Sequence, residues 1–240
     1  MKKPKKSEIT RSMLIRTATG KFLEKGYSNT TIREISNELN MSPGHILFYF
    51  PSKEHMLAVL ADMLCDFQWQ MMKQYVVEGH SSLAAACLEI TAMAAVCEEN
   101  EVARDFYISC YTHPTTLEII RRNDADRSKL IYEKYCRDWS MEQFNGAEII
   151  VSGIEYSSLM NTPSSPSLEM RVRQALNSIM SVFGVPEEAK KEQIETVLSL
   201  DYREIGKNIL GEFQKYINET NDQAVEQLME KRRRWRESRF

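Results

Sequence analysis

The chain has 240 residues, 42% of them hydrophobic and 27% charged, a balance that excludes wholesale disorder. Nine Gly and seven Pro are too few for a turn-rich all-β sandwich, and five Cys, an odd number with no C-x-x-C pair, exclude a disulfide framework and argue against a zinc site. The thiols read as small buried hydrophobes in a reducing cytosol, so a cytoplasmic protein with no metal and no cofactor is expected. No apolar run follows Met1-Lys-Lys-Pro-Lys-Lys6, so no secretory leader is expected. The most apolar window, Leu83–Cys97, contains Glu89 and is too short to span a bilayer.

The net charge of −3 conceals an asymmetry. Residues 1–56 carry ten Lys/Arg against five Asp/Glu and residues 231–240 carry six against one, each segment +5, leaving −13 on residues 57–230. A basic head on an acidic body suggests that the head meets a polyanion and the body does not.

In chain order, Ser7 is expected to cap a first helix that faces Leu14, Ile15, Ala18 and Phe22 inward and stops at Gly26, a natural residue for a helix end. Thr30-Thr31 cap a short second helix with Ile32, Ile35 and Leu39 inside. After Asn40-Met41-Ser42 comes a third helix, Pro43 to Phe50, with Ser42 as its cap and Pro43 at its first position. Two short helices joined by three residues have helix-turn-helix spacing. The turn needs a residue of positive φ, and Asn40 suits that role best among non-glycines. Met41 would plug the core between the helices. A long helix then starts at Ser52 and carries Met56, Leu57, Leu60, Met63, Leu64 and Phe67 on one stripe.

Further helices are expected near 82–98, 101–111, 115–138, 141–160, 168–183, 187–199 and 202–218. Ser140 with Gln143 and Asp201 with Glu204 read as capping boxes, Gly184-Val-Pro186 as a helix stop and restart, and 161–167 as a loop. Gly206 and Gly211 weaken the 202–218 helix by roughly 1 kcal/mol each. The fold class is all-α, with a helix-turn-helix module of three helices ahead of a larger helical domain.

Thr30-Thr31-Ile-Arg-Glu-Ile-Ser, Met41-Ser42-x-Gly44-x-Ile46-x-x-Tyr49-Phe50-x-Ser52-Lys53-Glu54 and the earlier Ala18…Phe22-x-x-x-Gly26-Tyr27 together resemble the DNA-binding module of the TetR family of transcriptional regulators. The resemblance covers roughly residues 9–60. It implies a homodimer that binds double-stranded DNA at a palindromic operator through the third helix, with a small-molecule effector held in the helical body. Three positions depart from the family pattern. Asn40 stands where Gly is usual, Leu47 where Tyr is usual, and His45 where a small residue is usual. Leu47 cannot hydrogen-bond but could meet a thymine methyl, so the last two departures bear on operator sequence rather than fold.

By the resemblance, Thr30 or Thr31 donates to a phosphate at the start of the second helix, and Lys53 makes a charged phosphate contact. Tyr49 resembles the position that reaches the DNA backbone. Ser42, Pro43, Gly44, His45 and Leu47, at the front of the third helix, approach base edges, while Ile46 and Phe50 face inward. The domains are then 7–60 for DNA binding, 61–220 for effector binding and dimerisation, and 221–240 as a basic tail.

In the body, Met63, Phe67, Met71, Met93, Phe106, Tyr107 and Tyr111 are expected to line an adaptable apolar pocket. The stripes Ile149, Ile150, Ile154, Leu159 and Leu176, Ile179, Met180, Phe183 are expected to pair two copies as a four-helix bundle. The long helix from Ser52 would belong to both head and pocket, so an effector wedged against Met63, Phe67 or Met71 would shift the reading helix. No nucleophile elbow, P-loop, Rossmann glycine set or H-E-x-x-H occurs, so an enzyme is not expected. The function expected is a repressor released by a small apolar effector; the alternative is an effector-independent or architectural DNA-binding dimer.

Overall fold

A computed structural model describes the backbone of residues 6–220 and 222–237, and the side chains of 11–220 and 223–230. Among these residues there are twelve helices and no strand. The side chains of the Lys2–Lys6 arm, of the cap expected at Ser7 and of the Lys231–Arg236 run lie outside the described residues.

The head consists of α1 (Lys6–Lys25), α2 (Ile32–Glu38), α3 (Pro43–Tyr49) and the start of α4 (Lys53–Val77). Its core is the expected one: Leu14, Ile15, Ala18 and Phe22 of α1 meet Ile35, Ile46, Phe50, Met56 and Leu57, all buried. Asn40 has φ 51° and Gly26 φ 95°, so both turns use the left-handed region as the residue types predict.

The body is α5 (Ser82–Glu99), α6 (Glu101–Thr112), α7 (Pro114–Ile131), α8 (Met141–Leu159), α9 (Leu168–Val182), α10 (Glu187–Leu198) and α11 (Tyr202–Glu219). The apolar window Leu83–Cys97 is α5, buried nearly all round and packed by helices from α4 to α11. A helix without a polar face belongs in the middle of a bundle, and the Ala-rich surface of α5 lets neighbours approach closely. Gly206 is used for such an approach: a Cβ there would lie 2.8 Å from the carbonyl oxygen of Ala92 and 2.9 Å from Val96. The residue that weakens α11 locally is therefore what allows α11 to pack on α5, and that packing outweighs the propensity loss.

Some boundaries differ from expectation. The helix expected to reach 138 ends at Ile131, and a series of turns places the Tyr132 ring on Phe183, 3.9 Å between centroids. Thr31 with Glu34 and Ser140 with Gln143 form reciprocal capping boxes, whereas Asp201 accepts from the Glu204 N–H without the return bond being recorded. Ser52 occupies the N-cap of α4 but its hydroxyl meets His55 Nδ1 at 2.8 Å instead of capping the backbone. The segment expected as a tail is helical over Asp222–Glu237, as α12, and lies against α1 and α4. No helix among the described residues is long and apolar enough to cross a membrane.

Candidate nucleic-acid interface

The short α3 is positioned by its own two faces. Ile46 and Phe50 are fully buried, and this anchors the helix on α1 and α4. Ser42 caps it by accepting from the His45 N–H at 3.2 Å, and Pro43 fills a first-turn position that needs no donor. Pro43, Gly44, His45 and Leu47 are all exposed on the outer side, as expected. Phe48, which the residue types did not single out, is 81% exposed beside them. It lies one turn beyond Gly44 on the same face, and that spacing was the available signal. An exposed phenyl beside Leu47 offers apolar surface of the kind that meets thymine methyl groups.

Tyr49 is half-buried at the edge of this face. Its ring lies 5.5 Å from His45 and 5.3 Å from Phe48, with the Arg11 guanidinium 5.8 Å from its centroid. Arg11 also pairs with Glu226 of α12 at 3.0 Å, so α1, α3 and α12 share one polar contact chain.

The two threonines separate. Thr30 is buried and its hydroxyl donates to the Gly26 carbonyl at 2.8 Å, so it closes the α1–α2 loop and presents no donor outward. Thr31 is exposed and caps α2, donating its N–H and its hydroxyl to Glu34 at 2.8 Å each. Lys25 binds the same carboxylate, and these bonds, Lys25 first, hold Glu34 down to about 2. The anion that complements the start of α2 is thus already supplied by the chain.

Lys53 also points inward. Its ammonium donates to the carbonyls of Tyr27 at 2.6 Å and Thr30 at 2.8 Å and sits 4.1 Å over the Tyr27 ring. Burial lowers its pKa against the pull of Asp105 and Glu34. The charge expected on a phosphate is here committed to pinning the α1–α2 loop to α4.

The apolar pocket expected in the body is filled. Met63, Phe67, Met93, Phe106, Tyr107 and Tyr111 are buried and Met71 packs against them, but none lines a described cavity. The reason is α11, which lays Phe213 5.4 Å and Tyr216 5.6 Å from Phe67. The cavity within the body lies instead between α5, α7, α8 and α9, where Glu89, Asp124, Arg127, Glu148 and Glu155 converge.

The α8 stripe divides as well. Ile149 and Ile150 are 59% and 58% exposed, whereas Leu159, Leu176, Ile179, Met180 and Phe183 belong to the core of the same chain. Those five therefore serve intrachain packing, and the outward apolar face is Ile149-Ile150, next to a groove lined by Gly153, Ile154 and Ala175.

Residues 14–60 match the family model described as bacterial regulatory proteins, tetR family. Over 81 residues the chain is 31% identical to YuxN, an uncharacterized HTH-type transcriptional regulator of Bacillus subtilis (strain 168), covering 34% of this chain and 28% of that protein. Over 121 residues it is 31% identical to HbdR, an HTH-type transcriptional regulator of Aromatoleum sp. (strain CIB), covering 50% and 51%. The matches thus span about half or less of these curated relatives. Among solved structures, the TetR family protein CprB from S. coelicolor A3(2) aligns at 18% identity over 90% of this chain and 100% of that one, with a TM-score of 0.39. The ketosteroid transcriptional regulator KstR2 of Mycobacterium tuberculosis aligns at 17% over 73% and 93%, with a TM-score of 0.36. At those scores neither structure informs the arrangement of the body.

Proposed function

Because residues 14–60 match the tetR-family model of bacterial regulatory proteins, we infer that the protein is a regulator of that family, a homodimeric transcriptional repressor that reads a palindromic operator and is released by a small effector. Members of the family are DNA-binding transcription factors rather than enzymes. One observation carries the reading: α3 buries Ile46 and Phe50 while Pro43, Gly44, His45, Leu47 and Phe48 stand in solvent on a basic head. A helix anchored on one side and bare on the other is suited to enter a major groove. Sequencing the DNA retained by the purified protein tests it. A pseudo-palindrome is expected, with affinity falling by roughly 0.9 log unit per log unit of salt for each phosphate neutralised. Retention without sequence enrichment would reduce the protein to a non-specific binder.

One module reads one half-site, so useful affinity needs two modules held together. The exposed Ile149-Ile150 face and its neighbouring groove are the best-supported contact between copies. Ile150→Asp is expected to give a helical monomer by light scattering with weakened operator binding. An unchanged dimer mass would place the interface elsewhere.

Effector control is supported by two polar links between the body cavity and the helices of the head. Tyr111 of α6 donates to the cavity carboxyl of Glu155 at 3.0 Å, and α6 also carries Asp105, which accepts from the Ser28 N–H of the head at 2.8 Å. Trp69 of α4 donates to Asn123 at 2.8 Å, and Asn123 donates to the cavity carboxyl of Asp124 at 3.0 Å. A ligand that changes the hydrogen bonding of Glu155 or Asp124 thus has a route to α6, which touches the head, and to α4, which begins in it. Such links typically carry about 1–3 kcal/mol of coupling. The apolar class of effector loses its support with the filling of the Met- and aromatic-lined region by α11.

A further inference from the structure

We propose that the cavity between α5, α7, α8 and α9 binds a small organic cation through a primary ammonium group seated on Glu148. The proposal rests on the effector-controlled reading and assigns that effector its chemical class.

The cavity has a volume of about 40 Å³, room for a few waters or one compact head group. Four carboxyls line it, Glu89, Asp124, Glu148 and Glu155, against one guanidinium, Arg127. Arg127 meets both carboxylate oxygens of Glu89 and reaches Asp124 at 3.4 Å, which leaves its Nε without an acceptor among the described residues. Glu155 accepts from the Tyr111 hydroxyl at 3.0 Å. Glu148 is fully buried, and while its Oε1 accepts from the Ser128 hydroxyl at 2.7 Å, its Oε2 has no hydrogen-bond partner. A buried carboxyl oxygen without a partner carries a desolvation cost that no group among the described residues offsets.

The missing group can be defined by elimination. An anion would meet an excess of carboxyls, and an apolar ligand would leave Glu148 Oε2 as it is. A neutral alcohol could donate once but would not offset charge. An ammonium brings three donors and a positive charge, and Ile90, Ile131 and Val151 provide apolar wall for a short alkyl stem. The apolar wall of Ile90, Ile131 and Val151 beside the carboxyls suits an organic cation, whose alkyl part it can cover.

Protonation is consistent with this geometry. Burial, then the neighbouring Asp124, pushes Glu148 up to about 8; burial pushes Asp124 up to about 6; and burial also raises Glu155. Glu148 therefore keeps its proton at neutral pH, and an ammonium that takes its place releases it.

The test is calorimetry of the full chain at pH 7 with n-propylammonium chloride, in two buffers of different ionisation enthalpy, beside the neutral isostere 1-propanol and the anion propionate. Saturable binding of propylammonium is expected, at least about ten-fold tighter than either comparison compound and with proton release. Glu148→Gln keeps the acceptor for Ser128 and should weaken propylammonium by about ten-fold and diminish the release; if this variant does not fold, Glu155→Gln carries the same expectation. No saturable heat with propylammonium, equal affinity for 1-propanol, or unchanged affinity in the variant overturns the proposal. Propylammonium binding through Glu148 with operator affinity unaltered would keep the site and refute effector control. Operator release by a ligand indifferent to Glu148→Gln would keep effector control and refute the site.

Discussion

The head and the body differ in how their charged groups are partnered. In the head, the Lys53 ammonium donates to two loop carbonyls and Glu34 gathers Lys25 and Thr31, so the charged groups that hold its loops have partners within some thirty residues of chain. In the body, Glu148 is fully buried with one oxygen unpartnered, among carboxyls drawn from three different helices. Groups that are satisfied locally hold a short helix such as α3 in one position. A polar site left incomplete has an energy that a bound ligand can change, which is what the proposed effector control requires.

The largest way to break this contrast is through the head core. Ile46 is fully buried and fixes α3, so Ile46→Ala should cost about 2–5 kcal/mol, as core truncations do. Ile46 belongs to a hydrophobic cluster that runs on into the body, and the loss is expected as early melting of part of the helical signal, with operator binding lost and body helices retained. A single cooperative transition shifted as a whole, read by circular dichroism, would mean that head and body are one folding unit.

The body should respond in the opposite sense. Glu148 titrates near 8 when folded and near the ordinary 4.5 when unfolded, so between those values only the folded chain keeps the proton. Stability of the ligand-free protein should therefore fall as pH rises from about 5 to 8. Glu148→Gln should remove that part of the slope, gaining about 1–3 kcal/mol at pH 8 and little at pH 5. The carboxylates held low by salt bridges, Glu34 and Glu99, act below pH 4.5, whereas Asp124 and Glu155, also raised by burial, add to the slope that remains in the variant. A variant less stable than the parent at pH 8 would mean that Glu148 is satisfied in solution. The smallest effect is expected at Thr31→Ala, which deletes the α2 cap and should cost the head about 1 kcal/mol in denaturant unfolding. A loss several-fold larger would give Thr31 a role beyond capping.

The head was legible because its signals are local. Asn40 for the turn, Thr31 and Ser42 for the caps, and the Ile46/Phe50 spacing each act within a few residues, and the structure places each as expected. Lys53 was misplaced because sequence gives its charge but not the neighbouring carbonyls of the α1–α2 loop. The body was legible in its helices and not in its faces. α8 has apolar residues on two sides: Ile149-Ile150, expected at the contact between copies, are exposed, whereas the buried stripe runs through Phe144, Ala147, Glu148, Val151 and Glu155. Glu148 and Glu155 share that stripe with Phe144 and Val151, a pattern that could have marked them as interior. Their convergence with Glu89 and Asp124 depends on packing between helices far apart in sequence.

The outward face of α3 as reader of DNA sequence is tested most directly by operator affinity measured by fluorescence anisotropy for the parent, His45→Ala and Phe48→Ala, on the selected operator and on scrambled DNA. Each variant is predicted to lose about 1–3 kcal/mol on the operator and almost nothing on scrambled DNA, with the salt slope preserved. Equal losses on both DNAs, or operator binding unaffected by either change, would contradict a base-reading role for this face.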